Sequence, residues 1–423
     1  MGKTAFSAAD ILVPNKETDM SKWSVIACDQ YTSEPEYWKE TEKIVGDAPS
    51  TLKLILPEVY LENNDVEKRI ENIHKEMDKI LESNVLKEYK NSMVYVERIQ
   101  GNGILRAGIV GKIDLEKYDY SKGSTSEVRA TEATVIERIP PRVKIRTGAP
   151  LELPHIMILI DDPENIVIEP LAKEKAGFEN LYDFTLMQDG GKVSGYLMNE
   201  KSIEKVDDAL EKLGSREVFN KKYNMTDKPV LLYAMGDGNH SLATAKAYYE
   251  QLKKENPDKD MSDSPARYAL VEIVNLHSDA LKFEAIHRSL TGIDVADLEN
   301  KMKTELELTE NSNSDQSFVF VTSKGEKTYY IGKKSSKLTV GSVQNFLDKY
   351  LKENGGKIDY IHGKDTLKNL VKDDKSAGII LPDMDKSDLF PTVILDGSLP
   401  RKTFSMGHAE DKRYYIEARK IIK

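Results

Sequence analysis

Cysteine is nearly missing: Cys28 is the only one in 423 residues. One thiol forms no intrachain disulfide and no cysteine-based zinc site, and so low a count fits a reducing cytoplasm. Cys28 reads as a small buried residue rather than a reactive thiol. Long apolar runs are missing too. Ile156–Ile160 and Val230–Leu232 fall far short of the ~20 residues that span a bilayer, which excludes a transmembrane reading. Nor is there an excess of basic charge. Lys and Arg number 61 against 71 Asp and Glu, a net charge of −10. The broad positive surface of a sequence-independent nucleic-acid binder is absent, and no direct nucleic-acid partner is expected.

The opening Met-Gly-Lys-Thr-Ala-Phe-Ser has no apolar core, and Phe6 stands where myristoylation wants Ser or Thr. A cytoplasmic location is the expectation. His74, His155, His240, His277, His287, His362 and His408 fall in no His-x₃-His or His-Glu-x-x-His spacing, which argues against structural zinc. No Gly-x-Ser-x-Gly elbow supports a hydrolase triad.

Strands and helices alternate without internal repeats, predicting a mixed α/β (α+β) fold. Val66, Ile70, Ile73, Met77, Ile80 and Leu81 recur at helical spacing. Met93–Arg98 and Ile104–Ile113 read as strands, and Ala133–Ile145 with His155–Ile160 as a second extended region. Asp189-Gly190-Gly191 marks a hairpin before Val193–Leu197, and Ser202–Leu213 a helix closed by Gly214. Later segments suggest a hairpin around Ser323–Glu326, helices at Val343–Leu351 and Thr366–Val371, and strands at Ala377–Leu381 and Thr392–Leu395. The organisation expected is an N-terminal segment (1–60) contributing to a core, a mixed subdomain (61–215), the core itself (216–294) and a C-terminal α/β portion (295–423).

The sharpest pattern is at 229–252. Pro229–Met235 reads as a buried strand, Gly236-Asp-Gly-Asn-His240 as a turn, and Ser241–Lys253 as a helix with Leu242, Ala245, Tyr249 and Leu252 on its apolar side. The first amides of a helix lack intrahelical acceptors and carry partial positive charge, so this is the arrangement of an anion-binding loop. Gly236 and Gly238 would let a phosphate approach the backbone. Asp237 could hold a magnesium ion or accept a proton, and His240 could donate to a phosphate oxygen. An ordinary capped turn is the competing reading, of about equal weight. Elsewhere, His287 with Arg288, and Arg401 with Lys402, bring cations beside strand-like segments; Pro140–Arg146 alternates basic and apolar residues like a half-exposed strand.

Ala234–Ala245 resembles the A-D-G-H-H-R-x-x-x-A signature of the domain of unknown function 1015 family. Val25–Thr32 is similar to that family's A-P-P-Y-D-V-I segment, and Asp47–Leu54 to the stretch after it. Arg129-Ala-Thr-Glu132 with Glu137-Arg138, Leu281–Arg288 and Leu399–Phe404 resemble three more of its motifs in the same order. The loop is similar to that of the ParB/sulfiredoxin-like fold, which includes CTP-hydrolysing partition proteins, sulfiredoxins and a free-serine kinase. The resemblance implies a ParB-like nucleotide-binding core with additional α/β subdomains. Gly236, Gly238, Asn239, His240 and Ser241 would cradle phosphate, and His287, Arg288 and Lys402 would supply further charge. Asp237 and His240 are the catalytic candidates, with Asp29, Glu132 and Glu137 as candidate bases. Ser241 replaces the family's Arg, so either Lys246, Arg267 or Arg288 supplies the missing cation or the chain binds a different ligand. The cofactors implied are Mg²⁺ and a nucleotide (ATP, ADP or CTP). The function implied is nucleotide or phosphate binding, in its kinase-like form a phosphotransferase acting on a small polar metabolite. The alternative is a non-catalytic regulatory protein switched by a nucleotide or phosphorylated ligand.

Overall fold

The computed structural model describes residues 3–132, 134, 136–311 and 314–422. The fold is mixed α/β, and the chain divides into two compact units. The first comprises Met1–Ala130, Thr134–Leu281 and His408–Lys423; the second comprises Thr131–Ala133 and Lys282–Gly407. Residues 1–60, 61–215 and 216–281 thus share one unit apart from 131–133, and the C-terminal residues return to it.

The first unit is built on one sheet. Its strands are β1 (Phe6–Ser7), β2 (Val94–Ile99), β3 (Leu105–Asp114), β4 (Tyr118–Asp119), β5 (Val128–Arg129), β6 (Met157–Ile160), β7 (Glu179–Thr185), β8 (Lys192–Leu197), β9 (Tyr233–Asp237) and β10 (Tyr268–Asn275). They lie in the order β7-β8-β2-β3-β10-β6-β9-β5-β4, with β1 beside β3. The pairs β10–β6, β9–β5 and β5–β4 are parallel and the others antiparallel. Central strands are buried on both faces. Ile158, Leu159, Ala234, Met235, Leu270 and Ile273 are all fully inaccessible, which is why they read as continuous apolar runs.

Helices α1 (Val66–Glu82), α2 (Ile139–Arg146), α3 (Glu200–Leu213) and α4 (Asn239–Glu255) flank the sheet. Ile70, Ile73, Met77 and Ile80 form the buried stripe of α1, and Val206, Leu210 and Leu213 that of α3. Helix α2 corrects the extended reading of 133–145; Ala133 and Val135 lie outside the described residues. Pro140 and Pro141 occupy its first turn, where a missing N–H costs nothing. Val143 and Ile145 then pack on the core.

The C-terminal segment threads this unit. Leu12 and Ala418 exchange backbone hydrogen bonds, Tyr415 N donates to Val25 O and Ala27 N to Arg413 O. Arg413 is buried and donates to Glu272, Glu417 and Pro154 O.

The second unit has its own sheet and core. Its strands are β11 (Phe283–Thr291), β12 (Ser317–Thr322), β13 (Gly325–Tyr330), β14 (Lys357–His362), β15 (Ser376–Ile380) and β16 (Phe404–Met406). The order is β13-β12-β15-β11-β14, with β16 on β11, all antiparallel. Helices α5 (Val295–Glu305) and α6 (Thr339–Asn354) bury Leu298, Met302, Val343 and Leu347 in a core with Phe318 and Phe320. Helix α7 (Lys364–Leu370) packs Leu367 on Val321 and Ile380. Residues 392–395 are helical, within α8 (Leu389–Asp396), and not a strand. Val393 and Ile394 are buried there, and packing outweighs their β-branched preference.

Candidate functional site

The strand–loop–helix expected at 229–252 forms with shifted bounds: the strand is Tyr233–Asp237 rather than Pro229–Met235, Gly238 alone links it to the helix, and α4 already begins at Asn239. The ladder between β9 and β6 slips between Met235 and Asp237, a bulge at Gly236 that redirects the chain before the helix. Gly238 is in the left-handed conformation at φ +79°, and no side chain caps the helix start. A Cβ on Gly238 would lie 3.1 Å from Ile156 Cα and 3.5 Å from His155 Cδ2. Glycine is therefore required both by φ and by the close approach of residues 155–156. Asn239, His240 and Ser241 form the first turn of α4. Asn239 Oδ1 is buried without a hydrogen-bond partner among the described residues.

Four stretches far apart in sequence converge here. His155, buried at the start of β6's segment, has Tyr415 OH 2.8 Å from Nδ1 and Ser241 Oγ 3.2 Å from Nε2. Asp29 Oδ2 lies 3.5 Å from the same Nε2. The Tyr415 hydroxyl also accepts the Cys28 N–H, at 3.1 Å. Burial by itself would lower the His155 pKa, but Asp29, with Asp237 and Glu58 behind it, reverses that and raises it. Burial likewise disfavours the Asp29 charge, yet His155, Gln30 and Lys412 hold the carboxyl below its ordinary range. Burial and the neighbouring Asp29 and Glu58 push the Cys28 thiol up, so it stays protonated and un-nucleophilic.

The cation beside the loop is Lys412. Its Nζ lies 3.2 Å from Asp237 Oδ2, while Asp237 Oδ1 accepts the Gly238 N–H at 3.0 Å. The cations expected to replace the family's Arg are engaged elsewhere. Lys246 bonds Leu115 O and Glu250, and Arg267 makes a fork to Asp114. Each oxygen of the Asp237 carboxylate, the expected magnesium ligand, thus already has a partner: the Lys412 ammonium on Oδ2 and the Gly238 N–H on Oδ1.

His287, Arg288 and Lys402 belong to the second unit. The Arg288 guanidinium is buried, donates to Gln344 Oε1 and to the carbonyls of Ile286, Lys402 and Arg401, and lies 4.8 Å from the Tyr360 ring centroid. Its fork holds the 400–403 segment in place. His287 Nδ1 accepts from Leu381 N, and burial with the nearby Lys364 pushes its pKa down to about 4. Lys402 is exposed with φ +55°. Glu132 accepts the Thr403 N–H in the same unit, and its pKa is raised by burial. Glu137 is exposed in a turn before α2.

A cavity of about 150 Å³ opens against α4, with Cys28, His155, Ser241, Thr244 and Tyr415 among its lining residues. His155, Lys412 and Tyr415 are the residues that sequence reasoning missed. Only the apolar run beginning at His155 and the Tyr414-Tyr415 doublet hint at them. Among the described residues no helix is long and apolar enough to cross a membrane.

A comparison with curated proteins finds no match. Among solved structures, a free serine kinase in complex with AMP is 13% identical, covering 73% of this chain and 91% of that one, with a TM-score of 0.38. A conserved hypothetical protein from Pyrococcus furiosus is also 13% identical, covering 74% and 94%, at 0.36. C-terminally truncated SbnI from Staphylococcus aureus is 9% identical, covering 70% and 82%, at 0.37. The family model described as "Protein of unknown function (DUF1015)" matches residues 11–350, and the chain belongs to that family.

Proposed function

We propose that this chain binds a nucleotide or other phosphorylated small molecule at the start of α4 and transfers a phosphoryl group to a small metabolite. The observation that carries the reading is the uncapped helix start behind left-handed Gly238, with the Lys412 ammonium and the Asp29–His155 pair beside it. Phosphate oxygens meet the amides of the first turn and Lys412, an arrangement suited to phosphoryl transfer, which depends on positioning and charge neutralisation. Asp29, kept ionised by His155, takes the proton of the acceptor hydroxyl as that oxygen bonds to phosphorus and the donor's phosphoanhydride bond breaks. His155, Ser241 and Tyr415 hold this base in place.

The test is a thermal-shift series with ATP, ADP, CTP, GTP and inorganic phosphate on the wild type, Lys412→Met and Asp237→Asn. A ligand bound only by the native state raises the midpoint with its saturation. Lys412→Met is expected to weaken the response, and Asp237→Asn to strengthen it by releasing Lys412. No response from any of these ligands overturns the reading. Binding without turnover, together with no effect of Asp29→Asn on any product assay, favours the regulatory alternative.

A further inference from the structure

The cavity against α4 contains a polar spot that the loop does not use. Much of its wall is apolar, with Leu54, Leu56, Met77, Ile145 and Ala149. Set into that wall are two polar groups without hydrogen-bond partners among the described residues: Thr244 Oγ1, on a residue only 6% exposed, and Arg146 Nε. Ser241 and Thr244 are three apart on α4, and Arg142, Ile145 and Arg146 share a face of α2, so two helices present these groups to one space. Buried polar groups are nearly always paired, and two unpaired ones lining a single cavity mark where a ligand's polar atoms belong.

The charge balance selects the ligand's sign. Glu152 accepts from both Arg146 and Arg419, which together keep it ionised despite burial. Two guanidiniums on one carboxylate give the cluster one net positive charge, with Arg146 and Glu152 lining the cavity and Arg419 outside its lining. The other charged groups on the wall are already paired: both Nε and an Nη of Arg142 bind the Glu58 carboxylate, and His155 is paired with Asp29. An acceptor-bearing anion satisfies Arg146 and Thr244 together, and the remaining wall asks for hydrocarbon.

We propose that this cavity binds a small monocarboxylate with an apolar tail, such as a branched five-carbon chain or a benzene ring. Its carboxylate meets Arg146 and Thr244, and its tail lies against Met77 and Ala149. An apolar cavity of about 150 Å³ admits benzene, which sets the size class. This site stands apart from the preceding reading: a carboxylate with a hydrocarbon tail has no hydroxyl for Asp29 to deprotonate, so it is not the phosphoryl acceptor.

The experiment uses the full chain without nucleotide, titrated calorimetrically with benzoate, 3-methylbutanoate, acetate and benzamide. Benzoate and 3-methylbutanoate are expected to bind. Acetate should bind at least tenfold more weakly for lack of buried hydrocarbon, and benzamide should not bind measurably. Thr244→Val should weaken benzoate about tenfold and Thr244→Ser restore it. Ala149→Leu should fill the space and remove benzoate binding while leaving the phosphate response unchanged. Absence of binding by both apolar carboxylates, or equal affinity in the wild type and a folded Thr244→Val, overturns the proposal. A benzoate failure beside an intact phosphate response overturns the carboxylate site alone. Benzoate binding beside no phosphate response overturns the loop reading alone.

Discussion

Replacing Asp29 by Asn should make stability depend on pH in a particular direction. Asp29 Oδ2 is 3.5 Å from His155 Nε2, with the side chains 29% and 5% exposed respectively. Two unit charges at that distance and an effective dielectric near 20 attract by about 5 kcal/mol. Breaking a buried pair costs roughly 3–5 kcal/mol, and the partial exposure of Asp29 puts the expected loss near the lower end, about 3 kcal/mol. The His155 pKa is raised, so its share is full below its ordinary value of 6.5 and fades as pH climbs through the raised one. The Asp29 pKa is lowered, so its share is full above its ordinary value of 3.8 and is lost only as pH falls through the lowered one. Both are complete between those two ordinary values. In Asp29→Asn burial is left to dominate His155, which must then shed its proton to stay buried. The loss of stability should therefore be largest near pH 5.5 and shrink by pH 9. Urea unfolding of both proteins at the two pH values measures it, with the His155 ring titration followed by NMR. A loss equal at both pH values, or under about 1 kcal/mol at pH 5.5, refutes the pairing.

Gly238→Ala should cost about 1–2 kcal/mol in urea unfolding, because L-residues resist the left-handed region, and should weaken the phosphate response by displacing residues 155–156. Arg413→Met leaves Glu272 and Glu417 without their shared partner and should destabilise by about 3–5 kcal/mol by the same assay; a change under 1 kcal/mol would contradict the account of the C-terminal thread. Arg288→Lys should lower the thermal midpoint, since a lysine cannot reproduce the four-acceptor fork, yet leave phosphate affinity unchanged. A loss of phosphate affinity in a folded Arg288→Lys would return Arg288 to the site.

Much of the fold was legible where one element could be judged by its own periodicity. Val66–Glu82 and Glu200–Leu213 carry clean apolar stripes, and the strand–loop–helix at 233–255 announces itself through its glycines. Residues 139–146 misled because alternating basic and apolar side chains mimic a strand, while the proline pair at the helix start is the signal that tells otherwise. Residues 392–395 misled because Val393 and Ile394 favour strands, and only burial between neighbours makes them helical. The loop was half legible. Gly238's requirement could be read from its neighbours, but the partners at His155, Lys412 and Tyr415 arrive through sheet pairing and the returning C-terminal thread. No local pattern encodes that. Arg288 looked like a phosphate ligand because a buried arginine that organises backbone carbonyls has the same sequence signature as one held for a ligand.

The central claim is that an anion sits on the first turn of α4. Backbone amide shifts of ¹⁵N-labelled protein, recorded as inorganic phosphate and then ADP are added, test it most directly. The account predicts saturable shifts at Gly238, Asn239, His240 and Ser241, with the Lys412→Met protein requiring more ligand to reach them. Saturating shifts that leave those four amides unmoved would contradict it.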